Sequence, residues 1–131
     1  MMMEVPQYQC VEVSYEDAQC LMKIAEAEAG NQSVEGMALV MQTVLNRVED
    51  EDFPDTVYGV ISQPGQFETY TCGQYGITEP GEKAHLALAE IETGLFADDT
   101  VIAFEVAGNR SLDKYFFYAF TLGDHDFYTE Y

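Results

Sequence analysis

Positive charge is what this chain has least of, with five lysines and arginines against 24 aspartates and glutamates and a formal net charge of −19. A field of that sign repels nucleic-acid phosphates and anionic lipid, so neither nucleic acid nor a membrane surface is an expected partner, and solubility is the plain consequence. Long apolar runs are also missing. No stretch reaches the roughly 18 residues of a membrane-spanning helix, and the opening MMMEVPQYQC has neither the basic end nor the apolar segment of a secretory leader. The expectation is cytoplasmic synthesis without a membrane span, any external substrate being reached by another route. The three cysteines, Cys10, Cys20 and Cys72, are odd in number and lack Cys-x-x-Cys spacing, which suits a reducing compartment. His85 and His125 lie far apart, with no His-x-x-x-His pair. No metal site and no cofactor are expected from such a set.

What is present is an ordinary globular composition. Over 131 residues, 47% are hydrophobic and 13% aromatic, enough for one core and one domain spanning 1–131, with residues 1–13 as a lead-in arm or short strand. No repeat, linker or low-complexity segment interrupts it.

The most informative stretch is 21–48, LMKIAEAEAGNQSVEGMALVMQTVLNRV. Ser14 followed by Asp17 forms a capping box that starts a helix near Tyr15. Ala18, Leu21, Met22, Ala25 and Ala29 recur at steps of three and four and mark its buried face. At about 100° per residue, Glu28 falls roughly 20° from Leu21 and roughly 60° from Ala25, on the rim of that stripe, whereas Glu26 lies on the opposite flank. A carboxyl on such a rim is partly desolvated, and the negative end of the helix macrodipole acts on it in the same direction; both favour the protonated acid. Glu28 is therefore a candidate general acid, against the plainer possibility of a last polar residue before a loop.

The elbow that follows, GNQS, predicts a left-handed helix end at Gly30 or Asn31, with Ser33 capping a second helix. Val34, Met37, Ala38, Met41, Val44, Leu45 and Val48 give that helix one nearly unbroken apolar face, and Leu39 and Val40 add a second side, as in an element running through the core. The methionines read as core filler. Glu35, after the elbow, shares no assured face with Glu28. The acidic run Glu49 to Asp52 reads as a solvated loop.

Beyond it, Asp55 or Thr56 caps a short helix through Ile61, and Gln63-Pro64-Gly65-Gln66 is turn chemistry. Phe67 to Ile77 reads as a short irregular hairpin, because it alternates loosely and holds Gly73 and Gly76. Its Tyr70 and Tyr75 are suited either to stacking on sugar rings or to covering the core edge. Thr78, Pro80 and Glu82 open a third helix that includes Ala84, Leu88 and Ile91 and stops at Gly94. Val101 to Val106 and Lys114 to Leu122 are strands separated by a turn, and Tyr118 and Phe120 are read as core.

Four separated segments, 21–48, FPDTVYGVI, QPGQF and GDHDFY, resemble in order the SleB/CwlJ family of cell wall hydrolases, which includes spore cortex-lytic enzymes. The likeness covers roughly Asp17 to Tyr128. It implies an α+β, lysozyme-like domain akin to lytic transglycosylases, with a helical core and a small antiparallel β region. It further implies peptidoglycan glycan strands as substrate and cleavage of the bond between N-acetylmuramic acid and N-acetylglucosamine. In the family's pattern Glu-Ala-x-Gly-Glu-x-x-Glu-Gly the first glutamate is the catalytic one, and counting back from Glu35-Gly36 it falls on Glu28. Two positions depart from the pattern: its glycine is Asn31 and its second glutamate is Gln32. On this resemblance Glu28 is the sole acid/base, its sugar supplying the nucleophile to give a 1,6-anhydro product. Glu35, Gln66 and Phe67 are the substrate-binding candidates, although Glu35 reads first as a structural helix-start charge that complements the dipole. A hydrolytic route would need a second carboxylate from Glu35, Glu68 or Glu105. The rival expectation is a lysozyme-like module that binds glycan or a partner without cleaving.

Overall fold

A computed structural model describes residues 11–131. Most of the lead-in expected over 1–13, with Cys10, lies outside the described residues; from Val11 the backbone meets the last helix, the Val11 N–H donating to the Glu92 carbonyl at 3.2 Å. The helices are α1 (Tyr15–Ala29), α2 (Val34–Val48), α3 (Val57–Ser62), the single turns α4 (Glu68–Thr71) and α5 (Gln74–Ile77), and α6 (Glu82–Glu92). Strands β1 (Val101–Val106), β2 (Phe117–Leu122) and β3 (His125–Thr129) follow, with a 3-10 turn at Ser111–Lys114. The result is an α+β fold, helical with a small antiparallel sheet in the order β1-β3-β2.

Local chemistry accounts for the helix starts. Ser14 Oγ accepts from the Asp17 amide, Ser33 Oγ from the Gly36 amide and Thr56 Oγ1 from the Gly59 amide, each hydroxyl satisfying a first-turn N–H that the helix leaves without a partner. Gly81, which has no side chain to do this for α6, is served from another helix: its N–H donates to Glu26 Oε1 at 2.7 Å. The outer-flank glutamate of α1 thereby holds the start of α6.

Packing is organised by α2, which touches α1, α3, α6 and β1. Its Met37, Ala38, Val40, Met41 and Val44 are fully buried and join Leu21, Met22, Ile24 and Ala25 of α1 in the main core. Each large apolar side chain removed from water in this way contributes roughly 2 kcal/mol before the entropy of ordering it is subtracted. Leu39, on the second side of α2, packs against Val101 and Phe127 of the sheet. Two polar residues of α2 then clamp β1: Asn46 Nδ2 donates to the Asp98 and Val101 carbonyls, and Arg47 Nε donates to the Ile102 carbonyl at 2.8 Å.

Four expectations are corrected. Residues 67–77 form two helical turns, not a hairpin. Gly73, at φ +89°, ends the first turn in the left-handed conformation and starts the second, so this glycine is helix-ending punctuation. In the elbow, Gly30 is right-handed at φ −61° and Asn31 has no positive φ. Glycine is required at 30 for closeness, since a Cβ there would lie 2.6 Å from the Glu26 carbonyl oxygen. Strand β2 begins at Phe117, with Lys114 in the preceding 3-10 turn. Tyr118 is 40% exposed because β2 packs on β3 and, unlike β1, has no helix laid against it; its ring carries the Arg110 guanidinium at 4.2 Å. Phe120, by contrast, is half-buried and stacks on Phe127.

Candidate active site

Glu28 occupies the last turn of α1, on the rim of the buried face, and is half-buried. Burial first, and the nearby negative charge of Glu68 second, raise its carboxyl to about 7. Among the described residues no protein group hydrogen-bonds that carboxyl, so nothing offsets the desolvation. It opens into a groove of about 390 Å³ whose walls include Asn31 and Gln32 from the elbow, Val106 at the end of β1 with Ala107 just beyond it, Asp124 from the β2–β3 turn and His125 at the start of β3. A carboxyl that is partly protonated at neutral pH and accessible from a groove is equipped to donate a proton and take it back.

The other acidic candidates are differently placed. Glu35 is exposed in the first turn of α2, where its charge complements the helix dipole. Burial tends to raise the Glu105 carboxyl, but hydrogen bonds from Ser111, Tyr128 and the Leu112 amide outweigh it and hold the group below its usual range. Glu105 is thus engaged in tying β1 to the 3-10 turn and β3. Glu68, exposed at the start of α4, is the carboxylate whose charge reaches Glu28.

Gln66 and Phe67 lie outside the walls of the Glu28 groove. Gln66 is exposed, and its Oε1 accepts from the Arg47 guanidinium at 3.2 Å. Phe67 is 3% exposed, tilted against Phe104 and lying beneath Arg47. Its ring belongs to the core that supports the QPGQF turn. Arg47 itself is buried between the rings of Phe53 and Phe67, and burial pushes its guanidinium down to about 10.

Of the groove-lining residues, Gln32 stands out in the sequence only as a departure from the family pattern, and two others were not singled out, Asp124 and His125. The last two sit inside the GDHDFY segment, the one sequence signal that pointed toward them. His125 is 9% exposed, stands edge-on to Phe104 at 5.3 Å, and has a buried Nδ1 with no partner among the described residues. Burial lowers its pKa, against an opposing pull from Asp124, which favours the neutral ring at the groove wall. Among the described residues, no three His, Cys, Asp or Glu side chains converge as metal ligands.

Residues 31–128 match the family model described as Cell Wall Hydrolase. The spore cortex-lytic enzyme of Oceanobacillus iheyensis is 36% identical over 81 residues, 62% of this chain and 29% of that protein. Its counterpart in Bacillus cereus is 33% identical over 81 residues, 62% of this chain and 31% of that protein. The chain therefore aligns with less than a third of the length of these relatives. The catalytic domain of the germination-specific lytic transglycosylase SleB from Bacillus anthracis superposes with a TM-score of 0.74 at 26% identity, covering 89% of this chain and 97% of that one. The catalytic domain of the Bacillus cereus SleB protein gives 0.75 at 25% identity, covering 90% and 93%.

Proposed function

Because the chain belongs to the cell wall hydrolase family, we propose that it cleaves the N-acetylmuramic acid to N-acetylglucosamine bond of peptidoglycan, in a cell wall or spore cortex, as a lytic transglycosylase with Glu28 as its acid/base. The single observation behind this reading is the Glu28 carboxyl, half-buried on a groove and raised to about 7. The protonated carboxyl gives its proton to the glycosidic oxygen as the bond from the muramic C1 to that oxygen breaks. The C6 hydroxyl of the same sugar then attacks C1, and its proton passes to the Glu28 carboxylate. The product is a 1,6-anhydro sugar, no water is consumed, and the acid is restored.

Purified peptidoglycan incubated with the chain should release anhydro-muropeptides, identified by mass spectrometry, and Glu28→Gln should lower the rate by at least about 100-fold, the lower range for a positioned general acid. Release at the native rate by that variant removes Glu28 from the role. Reducing-end muramic acid in place of the anhydro form assigns hydrolysis instead, with Glu68, the carboxylate felt by Glu28, as the second group to test. Tight glycan binding without any product would mark a binding module.

A further inference from the structure

The elbow between α1 and α2 is joined to the β2–β3 turn by one side chain. Gln32 is 8% exposed. Its Nε2 donates to Asp124 Oδ2 at 2.9 Å and to Asn31 Oδ1 at 2.8 Å, and its Oε1 accepts from the Asp124 amide at 2.9 Å. Both amide hydrogens and the amide oxygen are thereby used, two of the three bonds joining residues 92 positions apart. The Asp124 carbonyl in turn accepts from the Ala107 amide at 2.8 Å, so the bond continues to the end of β1. Lys83 of α6 donates to the Gln32 carbonyl, fixing the elbow from its other side.

Every partner in this chain is a wall of the Glu28 groove or directly supports one. The fit at the turn is close: Gly123 has φ +57°, and a Cβ there would clash with Gln32 Oε1. A side chain at 123 would therefore displace the amide.

We propose that Gln32 is a positioning residue, a latch that holds the Asp124–His125 wall at a set distance from Glu28 and so fixes the width of the sugar-binding groove. Polarity is the essential property. An amide offers the Asp124 carboxylate a donor while accepting from the Asp124 backbone; a carboxylate at 32 would have no donor to offer and would repel Asp124. The role rests on the peptidoglycan-cleaving reading above, since it acts through that groove.

The test uses the whole chain on purified peptidoglycan, with Glu28→Gln as the reference for lost chemistry. Gln32→Glu should lower kcat/KM roughly ten- to hundred-fold, the scale of a lost hydrogen bond to a charged group, with most of the change in KM. Gln32→Glu combined with Asp124→Asn reverses the polarity of the bond at unchanged net charge, the new amide donating to the new carboxylate, and should recover most of the loss. Asp124→Asn alone should lose less than Gln32→Glu, because its amide oxygen still accepts from Gln32. Thermal unfolding of each variant separates this from general destabilisation. A double variant that folds but is no better than Gln32→Glu overturns the latch, as does a Gln32→Glu rate within twofold of the native one. If Asp124→Asn alone costs as much as Glu28→Gln, Asp124 acts on the substrate and the assignment also falls. A native chain that releases no product overturns the functional reading instead.

Discussion

Glu28, on the last turn of α1, and Glu68, at the start of α4, are held where the charge of one opposes ionisation of the other, and with burial this lifts the Glu28 carboxyl to about 7. Forty residues of chain separate them, yet the second sets part of the chemistry of the first.

Replacing Glu68 by Gln removes that repulsion and lowers the Glu28 pKa, burial remaining as the larger cause. A general acid must be protonated to act, so the alkaline limb of the rate against pH should move to lower pH. The variant should lose more of the native rate at pH 7.5 than at pH 5. A profile with an unmoved alkaline limb would show that Glu68 does not govern Glu28.

Stability should respond to Glu28 in the opposite sense to activity. Its folded pKa of about 7 lies above the unfolded value of 4.5, so its contribution is fully present below pH 4.5 and is lost as pH rises through 7. Keeping the ionised carboxylate half-buried at pH 8 costs at most about 3 kcal/mol, less after solvent screening. Glu28→Gln should therefore unfold at higher denaturant than the native chain at pH 8 and show little such gain at pH 4. Equal gains at both values would contradict a raised pKa.

Glu105 should behave in the reverse manner. Its hydrogen bonds hold the folded pKa below 4.5, so its stabilising effect is present above that value and is lost as pH falls through the folded pKa. Glu105→Gln should lower the unfolding midpoint at pH 6, with the difference from the native chain shrinking toward pH 3. A difference independent of pH would locate its role in packing alone.

Arg47 is a test of the core's polar support. Arg47→Ala strips the Ile102 carbonyl of its donor, frees Gln66 and empties the space between Phe53 and Phe67, which should cost about 3 kcal/mol or more in urea unfolding. Arg47→Met retains much of the volume and should cost less. If the alanine variant were as stable as the native chain, the guanidinium would not be supporting β1 and the QPGQF turn.

The parts of the fold that were legible beforehand depend on short-range chemistry. Ser14, Ser33 and Thr56 cap helices because the donors they satisfy are three residues away, and the α1 and α2 faces follow from a period that repeats within a few turns. The misread parts turn on longer-range packing or on two readings of one local signal. Gly73 punctuates a hairpin or a helix equally well, and the choice was made by Phe67, Tyr70 and Tyr75 packing onto the core. Gly30 has its place through closeness to Glu26, not through a left-handed backbone. Tyr118 is exposed because α2 lies against β1 and not against β2, a fact of tertiary packing that its own neighbours do not carry.

At the candidate site the division is the same. The period of α1 and the family pattern were sufficient to select Glu28 and the rim it stands on, because both are properties of consecutive residues. Its pKa, the engagement of Glu105, the burial of Phe67 and the meeting of Gln32 with Asp124 were decided only in three dimensions. Desolvation, charge–charge repulsion and hydrogen bonding depend on distance through space, and here many of the groups that supply them lie tens of residues apart in the chain.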